Sequence, residues 1–135
     1  MKALRRKPTD AELAILTVLW SRGPSTVRQI AEDMGREAGY TTILKLLQIM
    51  TEKSLVVRDE GSRTHVYTAA YTQDQTQRQL VADLLERAFD GSASKLVLQA
   101  LAAGKTTPED LAEIKKLLRA AGAAQANDDK AGGSR

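Results

Sequence analysis

The chain has 135 residues, 42% apolar and 27% charged, proportions that suit one globular core with an accessory segment and exclude an intrinsically disordered chain. Cysteine is absent, His65 is the single histidine and aromatic residues make up 4%; disulfides, thiolate metal sites, cysteine nucleophiles and a large aromatic pocket are thereby excluded. The net charge of +3 is uneven, since residues 1–72 hold 11 Lys/Arg against 8 Asp/Glu while residues 73–135 hold 9 of each, so a polyanionic partner belongs with the first half.

The N-terminus, MKALRRKPTD, is basic without an apolar stretch behind it, and no apolar run approaches the length of a membrane span, so a cytoplasmic location is expected. Lys2, Arg5, Arg6 and Lys7 form a basic arm, suited equally to tracking phosphates or to plain solvation. Thr9-Asp10-Ala11-Glu12 has the form of a capping box and opens a helix in which Leu13, Leu16, Leu19 and Trp20 recur at helical spacing. Gly23-Pro24 ends that helix near Arg22. A second box, Thr26-Val27-Arg28-Gln29, opens a short helix with Val27, Ile30, Ala31 and Met34 inward, and Gly35 closes it.

The third helix lies in GYTTILKLLQIM, residues 39–50. Ile43, Leu46, Leu47 and Met50 form its buried stripe, and the helix ends around Lys53-Ser54. Two β-rich runs in LVVRDEGSRTHVYTA then flank Asp59-Glu60-Gly61-Ser62, the pattern of a hairpin with glycine in its turn. Three helices followed by a two-stranded hairpin is the element order of a winged helix-turn-helix.

After Tyr71 the pattern changes. Thr72 caps a long helix to about Phe89, Asp90-Gly91 breaks it, and Ser92 caps KLVLQALAA, which is apolar nearly all round. Gly104 ends that helix, and Thr107-Pro108-Glu109-Asp110 starts another with Leu111, Ile114, Leu117 and Leu118 on one side. Helices of this kind cannot bury themselves alone and call for a partner chain, most simply a second copy. The tail, AGAAQANDDKAGGSR, lacks periodicity and is expected to be disordered. The expected fold is therefore mainly α with a small β-hairpin: a winged helix-turn-helix over residues 8–71, a helical dimerisation region over 72–121 and a tail over 122–135.

With its apolar stripe docked on the first two helices, the third helix projects Tyr40, Thr41, Thr42, Lys45 and Gln48 outward as one group. Hydroxyls, an amide and an ammonium at a helix N-terminus suit base edges and phosphates in a major groove. Thr26 and Arg28 of the second helix and Arg63 past the hairpin turn complete the expected DNA-facing set, with Arg63 grazing the phosphate backbone. Arg58 and His65 also sit on the hairpin. A lone histidine on a ribbon lacks the companions of a metal ligand and reads as a solvated strand residue. Asp33, Glu37, Asp59, Glu60, Asp83 and Glu86 fall on expected exposed faces or turns, and no Gly-rich phosphate loop follows a strand, so no catalytic, metal or cofactor site is expected. The competing reading is a dimeric winged-helix adaptor whose third helix binds protein, but the low aromatic content of the exposed faces argues against it.

Taken together, TDAELAILTVLW, Gly23-Pro24 with TVRQIAEDM, YTTILKLLQIMTEKSLV, GSRTHVYTA, and TQRQLVADLLERAFDGSASKLVLQAL with its T-P-E-D-L helix resemble the penicillinase-repressor family. This BlaI/MecI/CopY family comprises bacterial transcriptional repressors, and the resemblance spans residues 8 to 120. It implies a homodimer whose winged helices bind an inverted-repeat operator with TACA/TGTA half-sites through Tyr40, Thr41, Thr42, Lys45 and Gln48. It also implies interlocked C-terminal helices, for which the apolar positions Leu84, Phe89, Leu96, Val97, Leu98, Leu101, Leu111, Ile114 and Leu118 are the candidates. Family members are commonly inactivated by proteolysis in that region, downstream of a membrane-bound sensor metalloprotease that in the best-known cases detects β-lactams. The chain departs from the family pattern at three places. Ile49 stands where many relatives place Arg, the segment aligned with the cleavage region offers Gln99-Ala100 in place of Asn-Phe, and the Cys motif of the copper-responsive branch is missing.

Overall fold

A computed structural model describes residues 7–35, 39–61 and 63–132, with the side chains of 128–132 excepted. Lys2, Arg5, Arg6, Glu37 and Ser62 lie outside the described residues. The chain divides into two compact units, Met1–Glu86 and Arg87–Arg135. The first unit takes in most of the helix that follows the hairpin. Two contacts explain its attachment: the indole N–H of Trp20 donates to the carbonyl of Tyr71 (3.0 Å) just before the helix, and Lys7 pairs with Asp83 on it (3.0 Å).

Helix α1 spans Asp10–Arg22, α2 Val27–Met34 and α3 Tyr40–Glu52; strands β1 (Val56–Asp59) and β2 (Val66–Ala69) follow, then α4 (Gln73–Ala88). The expected boxes are formed. The Thr9 hydroxyl accepts from the Glu12 N–H (3.2 Å) while the Glu12 carboxylate accepts from the Thr9 N–H (2.8 Å), and Thr26 and Gln29 repeat the exchange at the start of α2. Each exchange satisfies two amides that a helix start otherwise leaves free. At Gly23, where α1 must stop for α2 to begin, φ is +89°, a conformation that a residue with a Cβ rarely adopts.

The core forms where α1, α2 and α3 cross over the hairpin. Ile15, Leu16 and Leu19 meet Val27 and Ile30, the α3 stripe of Ile43, Leu47 and Met50, and Leu55, Val56 and Tyr67 from the hairpin. Each such side chain contributes about 1.5–3 kcal/mol when fully buried. Leu46, expected in the stripe, lies half-buried at its edge, together with Leu13, Trp20, Ala31 and Met34.

The strands pair antiparallel with Asp59 opposite Val66. The connection is thus residues 60–65, longer than the four-residue turn read from the sequence. The Asp59 carboxylate accepts from the Gly61 N–H (2.8 Å), a local turn that starts the loop before the strands can continue pairing. Arg63 and His65 therefore belong to the loop rather than to the ribbon. On the other side of β2, Ser25 and Tyr67 exchange two backbone hydrogen bonds (3.0 and 2.8 Å), so the α1–α2 connection covers that edge.

The second unit holds α5 (Ala93–Ala102) and α6 (Pro108–Gly132). Ser92 caps α5 and Thr107 caps α6, each hydroxyl accepting an N–H three residues on. Helix α6 runs on through most of the stretch read as a tail, as far as Gly132. The stretch is rich in alanine, the best helix former, so propensity extends a helix already nucleated upstream even without an apolar stripe.

Candidate nucleic-acid interface

Burial on one side of α3 decides what it presents on the other. Ile43, Leu47 and Met50 are fully buried, while Tyr40, Thr41, Thr42, Lys45, Gln48 and Ile49 are exposed, Tyr40 at 52%. The periodicity that builds the core thus sets hydroxyls, an ammonium and a carboxamide along one exposed surface.

The start of α3 differs from that of every other helix. A Thr or Ser hydroxyl caps α1, α2, α4, α5 and α6, but the N-cap of α3 is Gly39, which has no side chain to offer. Among the described residues, the amides of Tyr40, Thr41 and Thr42 have no capping acceptor. Free amides at the positive end of a helix attract anions.

Charge reinforces this arrangement. Arg28, Lys45 and Arg63 are exposed and make no ion pair or hydrogen bond among the described residues. Thr26 is half-buried; its hydroxyl oxygen accepts from the Gln29 N–H, which leaves its own O–H to donate. Between the start of α2, the first turns of α3 and the hairpin loop lies a recess of about 280 Å³ lined by Val27, Tyr40, Leu44, Arg63, Thr64, His65 and Tyr67. It brings together Tyr40 and Arg63 of the expected set. Thr41, Thr42, Lys45 and Gln48 lie along α3 outside it, with Thr26 capping α2 and Arg28 on it.

Other polar residues have different duties. Arg58 is paired with Glu60 (2.9 Å). Lys7, the only described member of the basic arm, is engaged by Asp83, which is half-buried rather than on an open face. Sequence reasoning assigned Glu12 to the cap alone, but its side chain is buried and both carboxylate oxygens accept from the Lys53 ammonium (3.0 Å each). Lys53 is the C-cap residue of α3, so this pair fastens the end of α3 to the start of α1. Burial by itself would raise the Glu12 pKa, but the Thr9 N–H and the Lys53 charge outweigh it and hold the carboxyl below its ordinary value.

In the second unit no described residue is buried. Val97, Leu98, Leu101, Leu111 and Leu118 are 37–62% exposed, Phe89, Leu96 and Ile114 half-buried, and Gln99 and Ala100 exposed. Leu84, on α4 in the first unit, is 46% exposed. Among the described residues no helix is long and apolar enough to cross a membrane, and no cluster of three or more His, Asp or Glu is placed to hold a metal ion.

The family model described as "Penicillinase repressor" matches residues 8–120. The chain belongs to the penicillinase repressor family. Among its relatives, the transcriptional regulator BlaI of Mycobacterium tuberculosis is 35% identical over 92 residues, 66% of this chain and 67% of its own. The penicillinase repressor of Bacillus licheniformis is 20% identical over 112 residues, 82% of this chain and 88% of its own. A solved structure of a point mutant of Lactococcus lactis ZitR aligns over 90% of this chain and 82% of its own at 16% identity, but its TM-score of 0.40 is too low to carry an argument. As a member of this family the chain is a DNA-binding transcriptional repressor and not an enzyme.

Proposed function

We propose that the chain acts as a homodimer that places two copies of α3 in successive major-groove faces of an inverted-repeat operator with TACA/TGTA-like half-sites. The observation that carries this reading is the two-sidedness of α3, which is sealed into the core by Ile43, Leu47 and Met50 and has Tyr40, Thr41, Thr42, Lys45 and Gln48 exposed opposite. In this reading Thr41, Thr42 and Gln48 meet base edges. Tyr40, Lys45, Thr26, Arg28 and the uncapped amides of α3 meet phosphates, and Arg63 touches the backbone from the wing.

Dimerisation proceeds through Leu84, Phe89 and the apolar residues of α5 and α6, whose exposure in a single chain supports a second copy as their cover. One winged helix has few base contacts, each worth about 1–3 kcal/mol of discrimination, so occupancy depends on the two half-sites being held together. Release follows from weakening the dimer. A cut near Gln99-Ala100 in α5 would sever α6 from the winged helix, and a membrane-bound sensor metalloprotease is the partner that fits such a step.

Selection of bound sites from random duplex DNA with the purified full chain tests the reading. A two-fold symmetric site is expected. Recovery of lone half-sites, or of no preferred sequence, would overturn the paired geometry.

A further inference from the structure

The hairpin carries two arginines in opposite electrostatic states. Arg63 lines the recess beside Tyr40 without an ion pair or hydrogen bond among the described residues. Arg58 has its Nη2 2.9 Å from Oε1 of Glu60, and the same oxygen lies 3.9 Å from Nε2 of His65. Asp59, the neighbouring carboxylate, is occupied with the Gly61 N–H, and the turn it makes sets Glu60 at the head of the loop. Glu60 thus stands between the two other basic groups of the wing while remaining 59% exposed itself.

We propose that Glu60 limits the wing's affinity for DNA by competing with the phosphate backbone for Arg58, so that each wing presents one free arginine instead of two. The proposal rests on the reading above that the wing meets the backbone. An arginine held by a carboxylate must give up that pair before it can neutralise a phosphate and release a counterion. The ion pair is exposed and therefore weak, which makes it a modulator of affinity and not a block. Because phosphate contacts are blind to sequence, the effect falls on all duplex DNA alike and shortens the time the protein spends on non-operator DNA.

The test measures binding of the full chain to a mixed-sequence duplex across a salt series, for the native protein and for Glu60→Gln, Arg58→Gln, the double variant and Arg63→Ala. Glu60→Gln is expected to tighten binding about two- to five-fold at low salt, the size an exposed ion pair permits. The same change should steepen the dependence of log K on log salt, by up to about 0.9 per protomer engaged. In the Arg58→Gln background, Glu60→Gln should leave that slope unchanged and give less than half the gain. Thermal melts of all four variants are expected to match the native one, since these side chains lie outside the core. An equal steepening in both backgrounds would overturn the proposal by showing that Glu60 merely repels DNA. So would an unchanged slope in Glu60→Gln while Arg63→Ala flattens it, a result that leaves the wing contact intact. If Arg63→Ala and Glu60→Gln both change nothing, the wing does not meet the backbone, and the reading and the proposal fall together.

Discussion

The two units are built from similar aliphatic side chains and use them in opposite ways. In the first, Ile15, Ile30, Ile43, Leu47 and Met50 are completely buried where three helices cross over a hairpin. In the second, Leu98, Leu117 and Leu118 are 58–62% exposed, and no described residue is buried. Both units have well-formed helix caps, so local hydrogen bonding does not separate them. What separates them is the presence of crossing partners. Caps define where α5 and α6 begin, but a helix of ten residues such as α5 is marginal in water unless an apolar face is covered. The first unit therefore has a buried core of its own, whereas the described residues of the second leave their apolar faces exposed.

The largest effect is expected from attacking the cover. Leu98→Glu places a charge in the middle of α5, at 61% exposure in the single chain. If a second copy buries this position, the variant is monomeric by light scattering. It then loses the effective-concentration advantage of two linked half-site contacts, roughly 10²–10⁴ in operator affinity. The melting of the winged helix should not change. An intact dimer in this variant would show that α5 lies outside the interface.

A matched pair of truncations sharpens the contrast. Leu47→Ala removes a fully buried side chain from α3 and should destabilise the first unit by about 2–5 kcal/mol, read by denaturant unfolding. Leu117→Ala removes the same atoms from α6, where the residue is 58% exposed. Its effect should stay within about 0.5 kcal/mol in dilute protein and, if a second copy covers the residue, grow with concentration. A concentration-independent loss at Leu117 would mean that the second unit has a core of its own.

Much of this architecture is legible in the sequence because its signals are local. Thr9, Thr26, Thr72, Ser92 and Thr107 cap the helices they were expected to cap, since a hydroxyl and the amide three residues on are joined by chain geometry alone. The exposure of Tyr40, Thr41, Thr42, Lys45 and Gln48 follows from helical periodicity once Ile43, Leu47 and Met50 point inward. What the sequence hides is non-local or depends on the absence of a signal. The Ser25–Tyr67 bridge and the recess shared by Tyr40 and Arg63 join residues far apart in the chain. The extension of α6 to Gly132 has no apolar stripe to announce it. The burial of Glu12 was missed because the capping box already accounted for that residue, and nothing near it points to Lys53.

That last pair gives a smaller expected effect than Leu47→Ala, and one whose size depends on pH. Lys53→Met keeps the aliphatic stem and removes the ammonium that both Glu12 oxygens share, which should lower the stability of the first unit at neutral pH by about 1.5–3 kcal/mol, the worth of a charged hydrogen bond. The folded-state pKa of Glu12 is depressed, so its stabilising contribution is full above the ordinary carboxylate range and is lost as pH falls through the depressed value. Once Glu12 is protonated, Lys53 has no charge to meet. The difference in melting temperature between native protein and Lys53→Met should therefore be widest near neutrality and narrow on acidification, and in a Glu12→Gln background Lys53→Met should produce little of that pH dependence. A gap that stays constant from neutral to acid pH would show that the charge of Glu12 is not what Lys53 acts through, and that the ion pair between the start of α1 and the end of α3 contributes nothing to holding α3 in place.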